Sequence, residues 1–146
     1  MKTIMQILKD KADQTVFTTT AETPVRDAAA LMAQKNIGAL LVMDGSQVVG
    51  IVSERDIARE LATTERPVKQ LAVREIMSAP VKVVHPQHTS AQCMALMTEG
   101  RMRHLPVIDD GRLVGLVSIG DLVKDIISEQ EFIIDQLEHY IAGDLH

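Results

Sequence analysis

Two short spacings carry the chemistry for which this chain can be read: Ser53-x-x-Asp56 and Ser118-x-x-Asp121. Each follows an apolar run opened by a glycine, Gly50-Ile51-Val52 and Gly115-Leu116-Val117, so each serine falls where a strand gives way to a helix. A helix start exposes unpaired N–H groups and a partial positive charge, which suits phosphate. A serine hydroxyl at that point can donate to a phosphate oxygen. The aspartate one turn later is wrong for phosphate and right for a vicinal diol, whose two hydroxyls a carboxylate accepts. Arg55, Arg101 and Arg103 supply counter-charge for a phosphate chain. Together these residues describe a ribonucleotide site written twice. The plainer reading is that Ser-x-x-Asp caps a helix, and repetition does not choose between the two, because structure repeats as well.

Other candidates are weaker. His85-x-x-His88 has the donors for a metal but no neighbouring Cys or carboxylate, and beside Pro86 it reads as a surface turn. Cys93 sits among Met94, Leu96 and Met97 on an apolar helix face and is expected in the core, as are Met32, Met94 and Met97. No nucleophile–base pair, phosphate-binding P-loop or paired-carboxylate arrangement is present, so no catalytic role is expected.

The elements that must position the serines and aspartates emerge from an internal repeat. Sliding the chain by 65 residues pairs residues 15–62 with 80–127 without a gap and gives twelve identities, among them Leu40 with Leu105 and Gly50 with Gly115. Each copy reads strand, helix, strand, strand, helix. Val16–Thr20 and Val81–Val84 are the short first strands. Thr23-Pro24 reads as an N-cap and a first helical proline, and Thr89 with Gln92 as a capping box. Asn36 and Gly100 suit left-handed helix stops. Tight turns at Asp44-Gly45-Ser46 and Asp110-Gly111 join the apolar strand pairs. The expected organisation is an N-terminal helical segment (1–14), repeat 1 (15–62), a linker (63–79), repeat 2 (80–127) and a C-terminal helix extension (128–146). A β-α-β-β-α unit cannot cover both faces of its sheet alone. The expected fold is therefore α/β (α+β), with two repeats packed sheet to sheet in pseudo-twofold symmetry and similar clefts between them.

The chain has 146 residues, 46% of them hydrophobic, and one cysteine, which gives a globular body without an intramolecular disulfide. No apolar run reaches the ~18 residues of a membrane span and no signal peptide is recognisable, so a cytoplasmic, membrane-free protein is expected. Of the net charge of −5, most sits at the end: seven acids against Lys124 alone from Asp121 onward. The body is near neutral, Trp is absent, and Phe17, Phe132 and Tyr140 are the only aromatics, a composition that argues against nucleic acid as a partner. From Asp121 to Ile141 the chain reads as one long helix with a stripe of Leu122, Ile126, Ile133, Leu137 and Tyr140 or Ile141 and an acidic opposite face. Ile4, Ile7 and Leu8 are expected to pack beside it.

The Gly-h-h-Ser-x-x-Asp signatures at Gly50–Asp56 and Gly115–Asp121, the run Arg103-His104-Leu105-Pro106-Val107 and the order of elements together resemble the CBS (cystathionine β-synthase-type) motif. The resemblance covers about residues 15–127 and is to a stand-alone CBS pair, or Bateman module. It implies an adenosine ligand, AMP first with NAD or ATP as alternatives, and no catalytic cofactor. It implies that Asp56 and Asp121 hold ribose, that Ser53 and Ser118 reach phosphate, and that adenine lies against Ile37-Gly38-Ala39 and Met102-Arg103-His104. Thr20 and His85 would line the cleft, and Arg55, Gly120 and Pro106 complete the implied ligand-binding set. Gly38-Ala39 against Arg103-His104 makes the two sites unequal. The resemblance further implies a homodimer, and a regulatory role in which ligand signals energy or redox state to an unidentified partner. A structural interaction protein with vestigial sites, and an enzyme acting on nucleotides, are the readings from other classes.

Overall fold

The computed structural model describes residues 2–11 and 14–144, with side chains as far as Ile141. In order, the elements are α1 (Ile4–Asp10), β1 (Thr18–Thr19), α2 (Val25–Lys35), β2 (Ala39–Asp44), β3 (Gln47–Ser53), α3 (Glu54–Thr63), a 3-10 turn (Val68–Gln70), α4 (Val73–Ile76), α5 (Ser90–Gly100), β4 (His104–Asp109), β5 (Arg112–Ser118) and α6 (Ile119–Asp144). The 65-residue offset holds for α2 and α5, for both hairpins and for the start of α3 and α6. The chain forms two compact units. The first consists of residues 15–83 with 108–115; the second consists of 1–14, 84–107 and 116–146.

In the first unit a three-stranded sheet runs β1-β2-β3, with β1 parallel to β2 and β2 antiparallel to β3. Val25, Ala28 and Met32 recur at helical spacing on the buried face of α2. Ala28 and Met32 join Leu40, Val42, Val52 and Val73 in the core. The second unit repeats the plan with Cys93, Met97, Leu105, Val107 and Val117, and adds Ile4 and Ile7 of α1 and Leu122 of α6. Cys93 is fully buried, and burial pushes its thiol up to about 11. Segments outside the repeats are thus structural: Val73, from the stretch expected as linker, is fully buried.

Several local expectations shift by a residue or more. Thr23 is not the N-cap of α2; Pro24 is, without a side-chain cap, because the first helical N–H, that of Val25, donates to the Leu71 carbonyl at 2.9 Å. The Thr23 hydroxyl instead meets the Thr20 hydroxyl at 2.8 Å. The left-handed stop of α5 is Arg101 (φ 53°), matching Asn36 (φ 55°), while Gly100 closes the helix proper. The first strand of copy one contracts to Thr18–Thr19, and that of copy two to a single parallel bridge, Val84 with Val107. The cause lies in the partner strand. Val84 donates to the Pro106 carbonyl at 2.9 Å, but proline has no N–H to return, whereas the matching Leu41 pairs with Thr18. The Thr89–Gln92 capping box forms as expected, and Asp110 and Gly111 both take positive φ in the second hairpin turn.

Candidate functional site

Each signature serine ends a strand and begins a helix. Ser53 is extended (φ −123°, ψ 165°) and caps α3: the Asp56 N–H donates to Ser53 Oγ at 3.2 Å. Asp56 Oδ2 in return accepts the Ser53 N–H at 2.8 Å and its hydroxyl at 2.9 Å. In the second unit the Asp121 N–H donates to Ser118 Oγ at 3.2 Å, and Asp121 Oδ2 accepts the Ser118 N–H at 2.8 Å. Both aspartates are therefore helix caps, and in both only Oδ2 does the capping. Among the described residues Oδ1 of each receives no hydrogen bond, which leaves a half-buried carboxylate oxygen beside a helix N-terminus with its acceptor capacity open.

The same junctions are tied to the segments expected to face adenine. The Glu54 N–H donates to the Gly38 carbonyl at 3.0 Å, and at the matching place the Ile119 N–H donates to the Arg103 carbonyl at 2.8 Å. Ala39 stands directly opposite Ser53 in the β2–β3 ladder. One unit thus brings together Ile37, Gly38, Ala39, Ser53, Arg55 and Asp56. The other brings together Met102, Arg103, His104, Ser118, Gly120 and Asp121, with Pro106 buried two residues along β4. Arg55 and Arg103 are exposed, as a group that meets ligand phosphate must be. A Cβ on Gly38 would meet nothing nearer than Glu54 Oε2 at 4.0 Å, so the first site has open space where the second carries an arginine.

Thr20 and His85 stand apart from these groups. Thr18 lies opposite Leu41 and Thr19 opposite Val42, so the parallel strands carry Thr20 four residues, roughly 13 Å, beyond the level of Ala39. His85 follows the Val84–Val107 bridge and is displaced from His104 in the same way. It belongs to a turn, its N–H donating to His88 Nδ1 at 2.8 Å. No group of three or more His, Cys, Asp or Glu that could hold a metal occurs among the described residues.

Two features escaped the sequence reading. Met77-Ser78 forms an extra edge beside β3: Ser78 and Ile51 exchange backbone hydrogen bonds at 2.9 and 3.1 Å. The signal was Gly50, where a Cβ would stand 2.7 Å from Met77 Sδ. The second is Lys11, whose Nζ lies 3.0 Å from Asp121 Oδ2 and 3.0 Å from the Leu116 carbonyl oxygen.

Comparison with known proteins agrees with this architecture. The CBS domain family model matches residues 8–63 and again 73–128, so the chain belongs to the CBS-domain family and carries two copies of the domain. It is similar to a CBS-domain protein of Burkholderia ambifaria MC40-6 whose given name places it in signal transduction, at 55% identity and TM-score 0.84, covering 88% of this chain and 96% of that one. A mitochondrial CBS-domain protein of Arabidopsis thaliana, CBSX3, is 38% identical over 97% of this chain and 72% of its own. A CBS domain pair in complex with 5′-methylthioadenosine and S-adenosyl-L-methionine is 25% identical, with TM-score 0.74, covering 86% and 99%. No helix among the described residues is long and apolar enough to cross a membrane.

Proposed function

We propose that this chain is a regulatory adenosine-ligand module, with AMP the first candidate ligand and NAD or ATP the alternatives, that carries out no reaction of its own. One observation carries the reading: in both repeats Asp56 or Asp121 spends one carboxylate oxygen on the helix cap and keeps the other open at the helix start. A vicinal ribose diol supplies the two donors this oxygen lacks, and the exposed helix start and Arg55 or Arg103 suit the phosphate that follows. The relative bound to methylthioadenosine and S-adenosylmethionine supports the class of ligand.

Output follows from population shift, since a ligand that binds one conformation more tightly favours it. The surface that would report it is the second half of α6. Phe132, Ile133, Ile134, Leu137, Tyr140 and Ile141 are all exposed there, an apolar face that suits self-association into a homodimer and, through it, contact with a regulated protein. The ligand reading is tested by calorimetry with AMP and 2′-deoxy-AMP. A diol-reading aspartate predicts weaker binding of the deoxy ligand, and equal affinities would refute it. Light scattering should report about twice the 16.1 kDa chain mass; a monomer at micromolar concentration would remove the dimer.

A further inference from the structure

We propose that Lys11, which lies outside both signatures, makes the Asp121 site the one that takes the phosphorylated adenosine ligand and leaves the Asp56 site to adenosines with an uncharged or cationic 5′ group. The inference rests on the reading of both aspartates as ribose acceptors. It begins with a difference in helix length. α1 and α4 dock alike: Ile4 and Met5 donate to the carbonyls of His88 and Pro86, and Val73 and Arg74 donate to those of Thr23 and Ala21. α4 stops after one turn at Ile76, whereas α1 continues to Asp10. That added length brings Lys11 to the β5–α6 junction, between the Leu116 carbonyl and Asp121 Oδ2.

The consequence is a difference of one charge. Side chains of Lys11 and Asp121 are only 26% and 20% exposed, so water and salt screen their pairing incompletely. Asp121 therefore presents its open Oδ1 from a neutral pair. Asp56 is held by the N–H and hydroxyl of Ser53, both neutral, and no basic side chain among the described residues lies within 4.0 Å of it. An unneutralised carboxylate repels a phosphate several ångströms away, while a neutralised one does not. A groove of about 150 Å³ between α1 and α6 is lined by Lys2, Lys11 and Lys124 and by Asp10, Asp121 and Asp125. Lys2 lies 2.8 Å from Asp10 and 3.9 Å from Asp125, and Lys124, with no ion-pair partner among the described residues, is the ammonium left to meet an anionic ligand tail.

The test is calorimetric titration of the full chain with ATP and with 5′-methylthioadenosine, using wild type, Lys11→Met, Lys11→Arg, Asp56→Asn and Asp121→Asn. Lys11→Met should weaken ATP on the order of tenfold at the site that Asp121→Asn removes, leave methylthioadenosine within about twofold, and leave the remaining site unchanged. Lys11→Arg should retain the ATP preference. Equal loss of both ligands in the Met and Arg variants marks a structural role and overturns the inference, as does an unchanged ATP preference in Lys11→Met. If neither aspartate variant alters any binding, the ribose reading itself fails, and the two failures are thus distinguishable.

Discussion

In the first repeat the carbonyl of Ile51 meets a backbone N–H, that of Ser78 at 2.9 Å; in the second the matching carbonyl of Leu116 meets an ammonium, Lys11 Nζ at 3.0 Å. The strand edge needs its acceptor satisfied in either case, but the two solutions leave different electrostatics behind. Backbone pairing brings no charge to Asp56, while the lysine neutralises Asp121. The Gly-h-h-Ser-x-x-Asp signature is intact in both copies, so the charge at each site is set by the segment docked beside it, Met77-Ser78 after the first repeat and Lys11 at the end of α1 in the other unit. The cores show the opposite behaviour: Met32 matches Met97, Leu40 matches Leu105 and Val42 matches Val107, all essentially without exposure.

The equivalence of the cores can be broken most forcefully at its centre. Leu40→Ala and Leu105→Ala each remove a fully buried side chain and should each lower stability by about 2–5 kcal/mol in urea unfolding; a large loss for one and almost none for the other would refute equal cores. Gly50→Ala probes the edge that only the first repeat closes with Met77-Ser78. Its Cβ would stand 2.7 Å from Met77 Sδ and 3.1 Å from the Ser78 carbonyl, so a loss of about 1–3 kcal/mol is expected from overpacking. No loss would mean that the edge yields freely.

Cys93 occupies the place of Ala28, and Cys93→Ala makes the two copies alike there. Burial raises the folded thiol from its ordinary 9.0 to about 11, so the protonated form favours folding. Its contribution is complete below pH 9 and is lost as pH rises from 9 to 11, on the order of 2 kcal/mol. Wild type should therefore lose more stability than Cys93→Ala between urea melts at pH 8 and pH 11, and parallel losses would disprove it. The smallest effect concerns the caps. Asn in place of Asp56 or Asp121 can still accept the serine N–H, so each variant should stay folded, but Asp121→Asn also weakens the Lys11 pair. It should melt lower than Asp56→Asn by up to about 1 kcal/mol, and equal melting temperatures would show the pair to be worth nothing to stability.

How much of this was legible in the residues depends on the range of the interactions. The offset of 65, the spans of α2 and α5, the hairpins and the Ser-x-x-Asp and Thr89–Gln92 caps could be read because each rests on hydrogen bonds within three or four residues or on apolar periodicity along one element. Pro24 as the cap of α2 could not be read, because the Leu71 carbonyl that accepts the Val25 N–H is 46 residues beyond Val25. The truncation of the first strand in the second copy could not either, since it depends on which residue of β4, Pro106, falls opposite Val84.

The candidate site divides along the same line. Sequence by itself determined which residues repeat and that Ser53, Asp56, Ser118 and Asp121 sit where a strand becomes a helix, because capping is a local bargain between a side chain and the next turn's backbone. Only the tertiary structure decided that Oδ1 of both aspartates stays open, that Thr20 and His85 lie away from them, and that Lys11 reaches Asp121 across 110 residues of chain. Ion pairs and strand register depend on where docked segments end, and the length of α1 sets that end only once Ile4 and Ile7 are buried in the core of the second repeat.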